Sequence, residues 1–452
     1  ATPASLARAQ RRNPRPPPVL LVEALPAVDA LQLGQYDRAI ETARGDLARS
    51  PRSVRILRVL VGALLETGAH AEAEGIARSF ISLNPESADA GNVLGSVLVA
   101  RGRRTEAEES FAKAIAGGGA EALSAEASLS ILLYERGRRT EAATRFNRLI
   151  NAYNTGRAKT VLDLIAVGRV CRYLGESNPA AFQDALKAFD EAASIDESHE
   201  SRLRIGELFL EKFNGTEARA VFEAVLAVNG RQPQALLGLA KARDFDGERG
   251  VPDLLDAALK TNPNFVEARA YRSRLLLGLE DFSGARAEAQ EALVVNPSSL
   301  EALSALAAAQ YLASDMPAFT ATRNKTEGLF PKSGHLLVTV GEASVRNRLY
   351  REAADLARQA LALEPQSWEA LASLGQNQLR LGEIDAARKN LDQSFEGDPY
   401  NVWVKNTLDL LDTFTNYILL DTADGRFRLF LDKKEAGVLG PPMEALASEA
   451  LG

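Results

Sequence analysis

The chain has 452 residues, of which 46% are hydrophobic, 25% are charged and 6% are aromatic. That hydrophobic share is too high for a disordered chain, and a net charge of −7 leaves no basic excess of the kind that nucleic-acid binding requires. A single cysteine, Cys171, excludes an internal disulfide, and no stretch approaches the ~20 apolar residues of a membrane helix. Cys171 lies in a helical pattern, and we expect it to be buried.

Residues 1–20 open the chain without Met and include a run rich in Pro and Arg, from Arg11 to Pro18. Proline-rich segments of this kind favour an extended, solvated backbone. We therefore expect an extended lead-in, produced by processing or truncation of a longer chain.

A proline recurs every 34 residues along much of the chain. Pro51 and Pro85 stand at this spacing. A second series keeps the same spacing: Pro263, Pro297, Pro331, Pro365 and Pro399. Because proline cannot continue a helix, each one marks the end of a helical unit and the start of the next. A period of this length predicts stacked helical hairpins.

Each unit carries small residues where two helices must approach closely. In residues 88–119, Leu94 and Gly95 place a large and a small residue on the first helix, Gly102 marks the turn, and Phe111 fills the space beside the second helix. These positions resemble those of the tetratricopeptide repeat (TPR) family. The resemblance covers about residues 22–399. It implies an all-α fold, a right-handed α–α superhelix (a TPR solenoid) of about eleven helix pairs.

The hairpins divide into three stretches. Residues 21–160 are interpreted as an N-terminal TPR array, and residues 263–399 as a C-terminal TPR array. Between them, residues 161–262 are interpreted as degenerate TPR-like helix pairs, because the terminal prolines are missing from Val161 to Pro233 and the step from Pro233 to Pro263 is only 30 residues. We expect the superhelix to kink or change pitch there.

The period stops after Pro399. The pattern of residues 400–417 predicts an amphipathic capping helix that packs on the last hairpin, with Trp403 as a core residue. Two alternating apolar runs on either side of Asp424 and Gly425 predict a short β-hairpin, and a final helix is expected to begin at Met443. Because a lone hairpin is only marginally stable in water, residues 418–452 are interpreted as either the start of a second domain or a C-terminal cap.

The stretch from Gly425 to Pro442 resembles the beginning of a zinc metallopeptidase domain (gluzincin, peptidase MA-like) that follows TPR arrays in some bacterial proteins. The resemblance implies that the zinc-binding helix would lie beyond Gly452, so no residue of this chain would be a zinc ligand. A preference for Arg over Lys is typical of a GC-rich bacterial source. A periplasmic or secreted location is favoured over the cytoplasm.

In the TPR family, the first helix of each pair lines a concave groove that receives an extended peptide or a partner helix. The resemblance places these residues in the groove: Arg55, Arg58, Asp89, Asn92, Ser96, Glu267, Arg274, Glu301, His335, Glu342, Glu369 and Gln376. Arg55 and Arg58 would make its N-terminal end basic. Glu301, Glu342 and Glu369 would make its C-terminal end acidic, which could orient a charged peptide. The alternative is that all of these are ordinary solvated side chains.

The sequence carries no recognisable motif for catalysis, a metal ion or a cofactor. Its histidines, His70, His199 and His335, lie far apart and are interpreted as surface or turn residues. Neither His-Glu-x-x-His nor Gly-x-Ser-x-Gly occurs. The sequence therefore predicts a non-catalytic scaffold that binds a protein or an extended peptide and serves in a larger assembly. The alternative is the substrate-recruiting or anchoring part of a larger metallopeptidase.

Overall fold

A computed structural model describes residues 26–195, 199–423 and 425–450. Over these residues the chain forms 24 α-helices and one two-stranded antiparallel sheet. The predicted all-α, right-handed superhelix with a short C-terminal hairpin is confirmed. The predicted lead-in, residues 1–20, lies outside the described residues. Within the described part of the chain, no helix is both long enough and apolar enough to cross a membrane.

Twenty-two of the helices pair into eleven hairpins, as the repeat predicts. The first helices are α1 (Pro26–Gln32), α3 (Val54–Glu66), α5 (Ala88–Ala100), α7 (Ala122–Glu135), α9 (Val161–Gly175), α11 (His199–Glu211), α13 (Pro233–Phe245), α15 (Val266–Gly278), α17 (Leu300–Leu312), α19 (His335–Arg346) and α21 (Trp368–Arg380). The second helices are α2 (Tyr36–Arg49), α4 (His70–Leu83), α6 (Arg104–Ala116), α8 (Arg139–Asn154), α10 (Ala181–Ile195), α12 (Gly215–Val228), α14 (Val251–Thr261), α16 (Phe282–Val295), α18 (Met316–Leu329), α20 (Tyr350–Leu363) and α22 (Ile384–Gly397).

A phenylalanine packed on a glycine closes several of these hairpins. The ring of Phe111 in α6 lies so close to Gly95 in α5 that a Cβ on the glycine would stand less than 3.0 Å from ring atoms. Phe189 packs in the same way on Gly168. The stretch without terminal prolines therefore uses the same contact as the clear repeats. Cys171 in α9 is buried, as expected, and burial raises the pKa of its thiol to about 12.

The superhelix winds so tightly that its second turn stacks on its first. Loops that follow second helices in the later hairpins contact turns that follow first helices in the early ones. Asn262 donates from Nδ2 to the carbonyl of Leu65 at 3.0 Å, and Asn296 donates to Val99 at 3.3 Å. We call these the tier contacts. They join residues 197 positions apart, which is close to six repeat lengths.

Glycine makes room for the tier contacts. Gly34, Gly68, Gly102 and Gly137 all have positive φ in these covered turns. A Cβ on Gly102 would overlap the side chains of Asn296 and Ser298. Glycine is therefore required in these turns both for backbone conformation and for space.

Further tier contacts extend along the stack. Trp368 donates from Nε1 to the carbonyl of Glu176 at 2.6 Å, and Tyr400 donates to the carbonyl of Pro179 at 3.2 Å. His199 is buried, with its Nε2 2.7 Å from the carbonyl oxygen of Gln32. The interpretation of His199 as a surface or turn residue was wrong, because the winding that covers it is not visible in a single repeat.

A short helix closes the array. Helix α23 (Val402–Thr413) buries Val404, Leu408 and Leu411 against the last hairpin. Trp403 lies one residue off this face, is 52% exposed and meets the ring of Phe245 edge-on at 5.9 Å. The prediction of Trp403 as a core residue was therefore wrong.

The C-terminal segment folds beyond a short 3-10 helix, Phe414–Asn416. Strand β1 (Tyr417–Asp421) pairs with β2 (Arg428–Asp432), as predicted. Helix α24 (Ala436–Glu449) begins seven residues before Met443, with Pro441 and Pro442 inside it. Small residues at Ala436 and Gly440 are buried and let the helix lie on the hairpin, which explains the earlier start.

Candidate functional site

The first helices line the inner side of the superhelix, and we call the space that they border the lumen. Charged side chains on first helices that are far apart in sequence lie close enough to influence one another. The carboxylate of Glu200 in α11 acts on Arg58 in α3, and that of Glu369 in α21 acts on Arg274 in α15. The charged lumen residues are Arg58, Arg169, Glu200, Arg204, Glu207, Lys241, Glu267, Arg274, Glu301, His335, Glu342 and Glu369.

Two carboxylates of the lumen are both partly exposed and desolvated by the surrounding protein. The side chains of Glu342 and Glu369 keep 43% and 57% of their surface exposed. Desolvation is nevertheless the largest influence on both carboxyl groups, and it raises the pKa of Glu342. A side chain can be both partly exposed and strongly desolvated when the water that it contacts fills a narrow space with protein around it.

At the C-terminal end of the lumen, the predicted acidic residues have basic neighbours. Arg274 donates to Glu342 at 2.7 Å, and His335 Nδ1 lies 3.9 Å from a Glu369 oxygen. Burial opposes charge on His335, but Glu369 and Glu301 leave the pKa of His335 above its usual value. Burial would raise the pKa of Glu369, but His335 holds it below its usual value. The acidic character of this end is therefore partly neutralised.

At the N-terminal end, most of the predicted groove residues have structural contacts. Arg58 forms an ion pair with Glu121. Asp89 accepts hydrogen bonds from the backbone N–H groups of Ala120 and Glu121, at 3.2 and 2.9 Å. Asn92 is buried and donates to Glu121 at 2.8 Å. These side chains join hairpins, which leaves less of them available to a partner.

Three of the predicted residues have fewer contacts. Arg55 is exposed, and in the described part of the chain it has neither a hydrogen bond nor an ion pair. Ser96 is exposed and bonds only within its own helix, to Asn92 at 3.1 Å. Gln376 is half-buried on α21. Their assignment to a binding surface remains a prediction.

Charged lumen residues from the middle stretch were missed by sequence analysis. Arg169, Glu207 and Lys241 are each the ninth residue of a first helix, α9, α11 and α13. Arg274, which was predicted, holds the same place in α15. The signal was present, but without terminal prolines the sequence did not show where these helices begin. Among the described residues, no three His, Cys, Asp or Glu side chains are grouped to hold a metal ion.

Comparison with known proteins supports the repeat assignment. The sequence profile of the tetratricopeptide repeat family matches residues 27–90 and 341–401. No curated protein sequence matches the chain.

Three solved structures illustrate the range of similar chains. A tetratricopeptide repeat protein from Parabacteroides merdae has 15% identity and a TM-score of 0.36, covering 59% of this chain and 96% of its own. Yeast Tom70 has 13% identity and a TM-score of 0.33, with coverages of 86% and 94%. A monomeric mutant of IFIT1 with Gppp-AAAA has 14% identity and a TM-score of 0.43, with coverages of 72% and 82%. With matching segments near both ends of an unbroken series of hairpins, the chain is a helical solenoid that contains tetratricopeptide repeats.

Proposed function

We propose that this chain is a protein–protein interaction scaffold that holds an extended segment of a partner protein inside the lumen. The observation that supports this most is a set of accessible charges with no partner of their own. Arg55, Lys241 and Glu267 have no ion pair among the described residues, whereas Arg274 and Glu342 are paired. Unpaired charges in confined surroundings are costly unless a ligand or water compensates them.

The enclosure of the lumen favours an extended chain over a folded domain. The tier contacts join successive turns of the superhelix, so the space beside the first helices is long and narrow. The Arg274–Glu342 ion pair spans two hairpins and narrows the space further. An extended segment fits such a space without any rearrangement of the hairpins. Successive side chains of the segment can then contact successive charged residues of the lumen.

Charge gives the segment a direction. Arg55 and Arg58 lie toward the N-terminal end of the lumen, whereas Glu267, Glu301 and Glu369 lie toward the other end. We expect the acidic part of the segment at the N-terminal end. Long-range attraction of this kind weakens as salt is added, because screening lengths are ~8 Å at physiological ionic strength.

The experiment is a selection of random peptides on the immobilised chain, followed by affinity measurements on purified peptides. Arg55→Glu should weaken binding of the selected peptides about tenfold at low salt, and less at high salt. Arg52→Glu is the matched control, because Arg52 is also exposed but lies in the loop before α3 and not on that helix. Peptides that bind Arg55→Glu as well as they bind the unchanged chain would place the interaction outside the lumen and refute the proposal.

The alternative role, as a recruiting or anchoring part of a metallopeptidase, rests only on the resemblance of residues 425–442. The family match ends at residue 401 and gives that resemblance no support. We therefore do not propose this role.

A further inference from the structure

A cavity opens from the lumen between α11, α13 and α15. Its volume is about 230 Å³, well above the ~10–15 Å³ that one water molecule needs. Leu210, Leu237 and Phe265 form an apolar floor, and Gln234, Lys241 and Glu267 contribute the polar rim. Leu237 and Phe265 belong to the buried core, so the floor is fixed by packing.

The polar rim is incompletely satisfied. Within the described residues, Lys241 has no hydrogen bond and no ion pair, although its ammonium lies 5.6 Å from the ring of Tyr271. The carboxylate of Glu267 likewise has no ion pair. The side-chain oxygen of Gln234 is buried without a hydrogen-bond partner. Lys241 is half-buried and Glu267 is exposed, so the two charges of the rim that lack an ion pair are accessible and can be compensated together by one ligand.

The neighbouring charges make a useful comparison. Arg204 and Glu207 line the same cavity and form an ion pair at 2.9 Å. Lys241 and Glu267 influence each other's charge but do not meet. Burial lowers the pKa of Lys241 and raises the pKa of Glu267, so each charge is disfavoured while it has no direct partner. A ligand that carried both signs of charge would compensate both groups at once.

We propose that this cavity binds an α-amino-acid zwitterion with an apolar side chain. The carboxylate of the ligand accepts hydrogen bonds from the Lys241 ammonium. Its own ammonium donates to Glu267, and its side chain packs on Leu237 and Phe265. The site lies in the wall of the lumen, but it does not depend on the binding of a peptide there.

The probes are L-leucine and L-phenylalanine, measured by calorimetry at millimolar concentration. We expect at least one of them to bind. Leucinamide, which lacks the carboxylate, and N-acetyl-leucine, which lacks the ammonium, should bind at least about tenfold more weakly than leucine, because each loses a charged hydrogen bond. Failure of both amino acids to bind, or equal binding of the two analogues, would overturn the proposal.

Variants locate the binding site. Lys241→Met and Glu267→Gln should each weaken amino-acid binding by about tenfold or more. Lys325→Met and Glu291→Gln are matched controls, because both residues are exposed on second helices. Unchanged binding in Lys241→Met and Glu267→Gln, with circular dichroism and melting like those of the unchanged chain, would refute the site.

The Arg55→Glu variant separates this site from the proposed scaffold function. Arg55→Glu should leave amino-acid binding intact while weakening peptide binding. Peptide binding without amino-acid binding would refute only the cavity, and amino-acid binding without peptide binding would refute only the scaffold.

Discussion

Arg274 donates to Glu342 over 2.7 Å and so joins α15 to α19 across the intervening α17. The intervening helix α17 carries small, buried residues at its fifth and ninth places, Ser304 and Ala308. Glu342 has a raised pKa in spite of its partner, since burial costs more than the ion pair returns. The pair therefore links two hairpins without being a large source of stability, because both side chains remain about 40% exposed.

The two halves of this bridge should respond differently to mutation. Arg274→Met leaves the Glu342 carboxylate without its partner and should destabilise the fold by about 1 kcal/mol. Glu342→Gln removes the disfavoured charge and should be close to neutral at pH 7. Urea unfolding of both variants checks this, with Asp355→Asn as the control for a fully surface pair with Arg358. A larger loss in Glu342→Gln than in Arg274→Met would contradict the reasoning.

Packing of Phe111 on Gly95 gives a second prediction. Gly95→Ala should cost about 2–3 kcal/mol, because the ring must move away from the added methyl group. Gly75→Ala is the control, since Gly75 is exposed in α4 with nothing near its Cβ position. That change should stabilise by about 1 kcal/mol through helix propensity. Thermal unfolding measures both, and similar melting of the two variants would exclude the contact.

The tier contacts can be tested at two turns with the same backbone conformation. Gly102 and Gly382 have φ of 70° and 81°, so alanine is strained in both. Only at Gly102 would the new methyl group overlap the side chains of Asn296 and Ser298. We expect Gly382→Ala to cost about 1–2 kcal/mol and Gly102→Ala about 1–3 kcal/mol more. Urea midpoints that fall equally in both variants would show that the turns of the superhelix do not adhere.

Glu66 gives a prediction that depends on pH. Burial raises the pKa of this carboxyl group from its usual 4.5 to about 7, although hydrogen bonds from Gln232 and Gln234 partly oppose the rise. The folded state therefore favours the protonated form. The resulting stability is complete below pH 4.5 and is lost as the pH rises through 7.

Glu66→Gln should thus stabilise the chain by about 1–2 kcal/mol at pH 8 and have little effect at pH 4. Melting temperatures at both pH values measure the difference. Glu86→Gln is the control, because Glu86 is exposed. An equal shift at both pH values would mean that Glu66 is not desolvated.

The sequence predicts the hairpins but not the way in which successive hairpins wind into a superhelix. Leu94, Gly95 and Phe111 specify one pair of helices through contacts within a single repeat, and the proline spacing counts the pairs. The tier contacts depend instead on a small rotation added at each hairpin, which no single repeat reveals. His199 was misjudged for this reason, since it meets Gln32 from another turn of the superhelix. Trp403 was misjudged because it lies one residue off the buried face of its helix.

The binding residues follow the same division. Arg274 was found because Pro263 stands at the repeat spacing three residues before its helix, whereas Pro233 is itself the first residue of the helix that carries Lys241 and so breaks that register. Asp89 and Asn92 occupy predicted groove positions, but contacts with the next hairpin engage their side chains. Helical register alone could not distinguish a side chain that is free to bind from one that is already bound.

The glycine turns also indicate where stacking is sterically opposed. Three turns that follow later first helices hold Glu280, Ser314 and Arg348, which keep positive φ despite carrying side chains, whereas the turn after α21 holds Gly382. An asparagine from another molecule would meet a methylene group at the first three, where Asn296 finds bare backbone at Gly102. Three of the four turns therefore oppose the stacking of a second molecule, through residues that individually weaken the fold.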